Sequence, residues 1–185
     1  MTTKTLIRSL LLMLTISIII SCNTSTKTTT TTDDSSPTTT TQTPSSYTSK
    51  MTKSDKKKYY DGSTVVYEIK YKPDGFKLRT ASSQLIWKLK LYEDKIKISD
   101  NEENLNPYEI KITNKYEAKL VKDAIILART SYDLDTKTQS IASKDDAQPK
   151  FYEGSYSVSY LVNRIPEIKA DQQQIIIEEL KAKGY

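Results

Sequence analysis

The segment VVYEIKYKPDGFKLRT, residues 65–80, alternates apolar or aromatic residues with charged ones. Successive side chains of a strand point to opposite faces. The pattern therefore sets Val65, Tyr67, Ile69 and Tyr71 on one side and Glu68, Lys70 and Lys72 on the other. Pro73, Asp74 and Gly75 interrupt it with a preset φ, an Asx turn and tolerance of positive φ, so the chain must double back there. Phe76 and Leu78 then rejoin the apolar side. The same arithmetic groups Leu85, Trp87, Leu89 and Leu91, then Ile96 and Ile98, then Tyr108, Ile110 and Ile112, with the loop DNEENLNP before the last set. This predicts a mainly β fold: an antiparallel meander or barrel of paired hairpins with one wet face.

The second half is less uniform. YEAKLVKDAIILARTSYD fits two strands about Lys122 and Asp123, or a helix with Ala118, Val121, Ile125 and Ala128 inward; the β-rich surroundings and the following TKTQSIAS favour strands. SYSVSYLV predicts a strand with Tyr156, Val158, Tyr160 and Val162 on one face. The chain closes with a predicted C-terminal α-helix over 171–183, with Asp171 as N-cap, Gln174 three residues on and Gly184 as the stop. Ile176, Ile177 and Leu180 form its stripe, and Ile175 adds apolar surface beside it. VYEIKYKPDGFKLRT and IWKLKLYEDKIKIS also echo one another, as two copies of one hairpin would.

The N-terminal third has a different character. Lys4 and Arg8 precede an apolar run, Leu10 to Ile20, that is shorter than the ~20 residues a spanning helix needs and fits the h-region of a secretory signal. Ile19, Ile20, Ser21 and Cys22 resemble the lipobox of bacterial lipoproteins: two aliphatic residues, a small one and the cysteine. The resemblance implies cleavage before Cys22 and acylation of its thiol, with two or more chains anchoring stably. It also implies a location on the extracytoplasmic side of the cell membrane. Asn23 stands where aspartate serves as an inner-membrane retention signal, which points to the outer membrane in a diderm source. The alternative is an ordinary signal peptide, or an uncleaved anchor, with a free cysteine. Residues 1–21 thus read as signal peptide, 22–58 as a disordered Thr/Ser-rich tether spanning ~30–35 Å, and 59–185 as one β-rich globular domain.

Hairpins 65–80 and 85–99 with the apolar helix 171–183 are similar to the tubby and LURP-like barrel class, in which a twisted β-barrel encloses a hydrophobic helix. The chain as a whole is similar to uncharacterised cyanobacterial lipoproteins, a resemblance that implies no known activity.

The side-chain inventory narrows the chemistry. The chain has no histidine, one cysteine and four scattered glycines, which removes His-dependent hydrolysis, the usual zinc, copper and haem ligand sets, and Gly-rich phosphate loops. No cofactor is expected. Catalysis would fall to carboxylates, lysine, tyrosine or serine. Asp100, Glu102 and Asn104 are weak candidates for a Ca²⁺ loop, but Leu105 replaces the glycine such a loop wants and no bidentate glutamate follows, so a solvated hairpin loop is the better reading. Losing Lys4 and Arg8 with the leader lowers the formal charge from +5 to +3, too little to suggest nucleic acid.

That modest charge is concentrated. If the apolar sets face inward, Lys70, Lys72, Lys77, Arg79, Lys88, Lys90, Lys95, Lys97 and Lys111 face outward with Glu68 and Glu109 among them. Such a face either keeps exposed strands soluble and unpaired or attracts an anionic lipid or polymer. Trp87, Tyr67 and Tyr71 lie on the apolar stripe and read as core. A carboxylate-dependent hydrolase of envelope glycan is the alternative from another class, and it needs two acids in a cleft.

Overall fold

Alternation becomes pairing. The computed structural model describes residues 47–185, and in it eleven strands run β1 (Thr48–Lys53), β2 (Lys56–Asp61), β3 (Thr64–Lys72), β4 (Gly75–Thr80), β5 (Leu85–Tyr92), β6 (Lys95–Ser99), β7 (Tyr108–Asn114), β8 (Glu117–Lys122), β9 (Ile125–Asp133), β10 (Thr138–Ser143) and β11 (Lys150–Glu153). Each pairs antiparallel with the one before it, in unbroken sequence order. A 3-10 helix (Val158–Arg164) and a helix α1 (Ala170–Ala182) follow. The segment at 117–133 is two strands rather than a helix.

One face of the sheet is the core. Ile69, Phe76, Leu78, Leu89, Ile96, Ile98, Ile110 and Leu120 are at most 1 % exposed, and α1 packs against them through Ile175, Ile176 and Leu180, all at 0 %. A fully buried residue of this kind contributes about 1.5–3 kcal/mol. Ile175, Ile176 and Ile177 are consecutive and all buried, and three such positions sweep about 200° of a helix. A flat sheet cannot cover that arc alone, so a twisted sheet and the 3-10 helix, whose Val158, Leu161 and Val162 join the same core, share it. Register shifts at Tyr59/Tyr60, Leu78/Arg79, Ile112/Asn114 and Leu120/Val121 supply the added twist.

The hairpin echo extends to a third copy. Tyr67-Glu68-Ile69-Lys70-Tyr71, Trp87-Lys88-Leu89-Lys90-Leu91 and Tyr108-Glu109-Ile110-Lys111-Ile112 occupy equivalent places in β3, β5 and β7. The first residue of each sends its polar tip to α1 or to the turn that leads into it: the Tyr67 hydroxyl to Asp171 at 2.7 Å, the Trp87 indole N–H to Gln172 at 3.0 Å, and the Tyr108 hydroxyl to Glu167 at 2.5 Å. The last residue of each donates its backbone N–H to an aspartate carbonyl in an earlier turn: Tyr71 to Asp55, Leu91 to Asp74 and Ile112 to Asp94, at 2.8–2.9 Å. One unit therefore supplies both a core strand and an anchor for the helix.

Four expectations need correction. The sheet starts at Thr48, eleven residues before the expected domain boundary. β1 is exposed at every position and is held by its ladder to β2 rather than by burial, so composition could not reveal it. SYSVSYLV is not a strand: Val158, Leu161 and Val162 are all buried at helical spacing, whereas a strand would turn Leu161 to water. Asp171 lies inside the first turn rather than at the cap; Lys169 takes the cap position without a side-chain bond, and the Asp171 carboxylate is spent on the Tyr47 and Tyr67 hydroxyls. The barrel is not closed, because β1 and β11 stay at opposite ends of the strand order. Neither end strand carries the apolar surface that closure would bury: β1 has none inward, and β11 is four residues long with only Tyr152 buried. The leader, Cys22 and most of the expected tether lie outside the described residues.

Candidate functional site

With the apolar side committed to α1, period-two alternation sends the intervening residues to the outer face. Register then lines the cations up. Lys56, Lys70, Lys77 and Lys88 stand directly opposite one another across β2, β3, β4 and β5. A second row pairs Lys90 with Lys97, and a third runs Lys95, Lys111, Lys119 and Arg129 across β6 to β9. Like charges directly opposite destabilise a sheet. All nine residues expected outward are there, and Lys56, Lys119 and Arg129 join them.

Carboxylates are placed to relieve that repulsion. Lys70 pairs with Asp55 and Lys90 with Asp74, both at 3.8 Å, repeating one arrangement in successive hairpins. Glu109 bridges Lys97 at 3.2 Å and Lys111 at 3.1 Å. Burial works to raise its pKa, but hydrogen bonds from Lys111 and Lys97 outweigh that and hold it below the usual range. Lys95 lies over the Tyr92 ring. Seven of the nine cations thus share four carboxylates, Asp55, Asp74, Glu102 and Glu109, leaving an excess of five positive charges. Glu68 is on this face as expected but is only 4 % exposed, paired with Lys56 at 2.8 Å. It forms part of the wall of a 250 Å³ depression lined also by Lys56, Lys70, Lys72, Lys77, Arg79 and Ser83.

The loop read as a weak calcium candidate serves this face instead. Glu102 accepts from Lys77 at 2.5 Å and from Arg79 at 3.2 Å, lies 4.0 Å from Lys88, and its own carbonyl accepts from the Lys88 ammonium. The Lys77 bond, followed by the charges of Lys77, Arg79 and Lys88, holds its carboxyl below the ordinary range despite slight desolvation. Asp100 accepts from Asn101, and Asn104 from the Ser99 hydroxyl. Their oxygens turn to local bonds rather than to one point, and among the described residues no group of three or more acidic or sulfur ligands converges.

Two further carboxylates share a depression at the other end of the sheet. Asp133 and Glu153 flank Thr138 on β9, β10 and β11 and line a 450 Å³ depression with Phe151. Two strand spacings set their backbones ~10 Å apart. Backbone N–H groups of Thr136 and Asp135 hold Asp133 low, and both acids face water. Trp87 is core, at 7 % exposed, as the apolar stripe implied. No helix among the described residues is long and apolar enough to cross a membrane. Comparison with family models, curated proteins and solved structures finds no match.

Proposed function

We propose that the chain is a lipid-anchored cell-envelope protein whose β-rich domain acts by binding, with the lysine-rich sheet face engaging an anionic lipid or polymer surface. The observation that carries this reading is the registered stacking of lysines across β2–β5 and β6–β9, with the nine cations expected from alternation alone exceeding their carboxylate partners by five. At ~1 kcal/mol per basic residue near an anionic leaflet, five charges supply ~5 kcal/mol, a term that falls off within about 10 Å and weakens with salt. The anchor would add effective concentration. From Cys22 to Ser46 the chain reaches at most ~85 Å, and it enters the sheet at β1, beside the most cationic strands. On this reading the location is extracytoplasmic, and the outer membrane in a diderm source.

Residues 23–185, without the acylated cysteine, are expected to co-sediment with phosphatidylglycerol vesicles at low salt, but not with neutral vesicles, and to be released as salt rises. Failure to bind anionic vesicles or a soluble polyanion at low salt would remove the surface function. In cells, a fatty-acid probe should label the full chain and not Cys22→Ala; label that persists in the variant refutes the anchor.

A further inference from the structure

Glu102 and Glu109 each neutralise cations on the same face, yet they are built differently. Glu109 is fixed in strand β7, and its side chain is 22 % exposed. Glu102 comes from the loop after β6 and is laid over the lysine row from outside, with its side chain 46 % exposed. Three cations converge on it, and its carboxylate does not fill what they offer. Arg79 donates Nη1 to the Ser83 carbonyl at 2.6 Å and Nη2 to Glu102 at 3.2 Å. The Nε–H, on the same edge of the guanidinium as Nη2, is buried without a partner. That edge is the one that grips an oxyanion with two parallel bonds. Beside it lies the 250 Å³ depression.

We propose that Lys77, Arg79 and Lys88 form a subsite for a phosphate group, and that Glu102 occupies it as a displaceable stand-in. The phosphodiester of a lipid headgroup sets its two ionised oxygens, and free phosphate up to four, on a tetrahedral centre, where the carboxylate has two in one plane. Either can take the empty Nε donor together with Nη2 and still accept from the flanking lysines. The neighbouring buried Glu68 does not oppose this, because Lys56 neutralises it at 2.8 Å. The subsite rests on the anionic-surface reading and refines it: an otherwise diffuse face has one point of chemical selectivity, guarded by its own loop.

The test compares wild type with Glu102→Gln, Glu109→Gln and Arg79→Lys in residues 23–185, using phosphatidylglycerol vesicles in one arm and inorganic phosphate at constant ionic strength in the other. Removing one acid from a purely diffuse face tightens vesicle binding about fivefold wherever the acid lies. The subsite predicts that Glu102→Gln gains at least about threefold more than Glu109→Gln, beyond that per-charge effect. It also predicts that Arg79→Lys, which keeps the charge but loses the planar edge, weakens binding about fivefold. Equal gains for the two glutamines and no loss in Arg79→Lys overturn the subsite while leaving the diffuse surface intact. No vesicle binding by any form overturns the surface reading itself. Selective effects with inorganic phosphate alone support the subsite and identify free phosphate, not a headgroup, as its ligand. Urea midpoints confirm that each variant is folded, and the glutamine pair decides the matter if Arg79→Lys is not.

Discussion

The carboxylate of Glu179 sits where an isoleucine would be expected. It lies on the buried side of α1, four residues after Ile175 and one before Leu180, and is 2 % exposed. Its Oε1 accepts from the Lys57 ammonium at 2.8 Å and the Tyr59 hydroxyl at 2.6 Å, and its Oε2 from the Tyr71 hydroxyl at 2.7 Å. Hydrogen bonds to a charged group are worth ~1.5–3 kcal/mol net, against ~1 for neutral ones. Glu179→Gln can keep its oxygen toward Lys57 and Tyr59 and turn its amide toward Tyr71, whose hydroxyl can accept. The bonds to Tyr59 and Tyr71 become neutral ones, the Lys57 bond keeps only the charge of its ammonium, and the Tyr71 hydrogen must turn to water. Relief of carboxylate desolvation offsets part of that loss, for a net of about 2 kcal/mol. Glu179→Leu is worse: Lys57, 24 % exposed, can swing to water, but Tyr59 at 1 % cannot. That variant should lose about 3–5 kcal/mol. With a urea m-value of ~2 kcal/mol/M, midpoints should fall by ~1 M and ~2 M respectively. Adding Tyr59→Phe to Glu179→Leu removes the stranded hydroxyl, so the double variant should be less unstable than the sum of the singles by about 1–2 kcal/mol. A Glu179→Leu protein as stable as wild type would refute the reasoning, since a well-packed apolar replacement would then outweigh three satisfied bonds.

Gly75→Ala places a Cβ 2.0 Å from the Leu89 carbonyl oxygen and 3.0 Å from its carbon, both backbone atoms of a paired strand, so about 3 kcal/mol or more should be lost. Gly62→Ala, also at positive φ but with open space around it, should cost only about 1 kcal/mol; thermal midpoints that rank the two variants the other way reject the steric account. Burial, then a hydrogen bond to a carboxylate, raises the pKa of Tyr59, Tyr71 and Tyr108 above the usual phenol range, and the same causes push Tyr67 up to about 12. Folded values above the unfolded ~10 contribute stability that is complete below pH 10 and lost as pH rises through 12 and beyond. Phenolate absorbance should therefore show a group of tyrosines that ionise only as far-UV circular dichroism collapses; full titration near pH 10 with structure intact contradicts it.

The parts of this fold that bury one face of a strand were legible. Residues 65–112 write their alternation plainly because half of each strand must meet α1 and half must meet water. What stayed hidden is held by bonds that composition does not encode. β1 buries nothing, and the Thr/Lys-rich segment that carries it looks the same as a tether. Leu161 was the residue that contradicted a strand at 156–162, and the neat alternation around it masked the signal. Glu179 could have been noticed: a carboxylate on the stripe of Ile175, Ile176 and Leu180 has to find partners once buried. Naming Lys57, Tyr59 and Tyr71 required the register of β2 and β3. Of the candidate site, the nine outward cations followed from alternation. Their stacking in rows and the destination of Glu102 depend on which strand lies beside which.

Solubility alone explains why lysines occupy the outer face, but not how they are arranged. A strand needs only some polar residue at each outward position, and alternating signs across the ladder would stabilise the sheet by roughly 0.2–1 kcal/mol per pair. Lys70, Lys77 and Lys88 do the opposite, and the repulsion is met from outside the sheet, by Glu102 from a loop. Lys90 and Lys97, and Lys95 and Lys111, repeat the opposition one and two strands further on. The same three-copy unit that delivers Tyr67, Trp87 and Tyr108 to the helix delivers Lys70, Lys90 and Lys111 to the opposite face, so core and charge are fixed by one register. Slipping a strand by one residue to disperse the lysines would expose the isoleucines behind them. The cationic face is therefore locked in place by the core and cannot relax away from its own repulsion, which Asp55, Asp74, Glu102 and Glu109 relieve only in part.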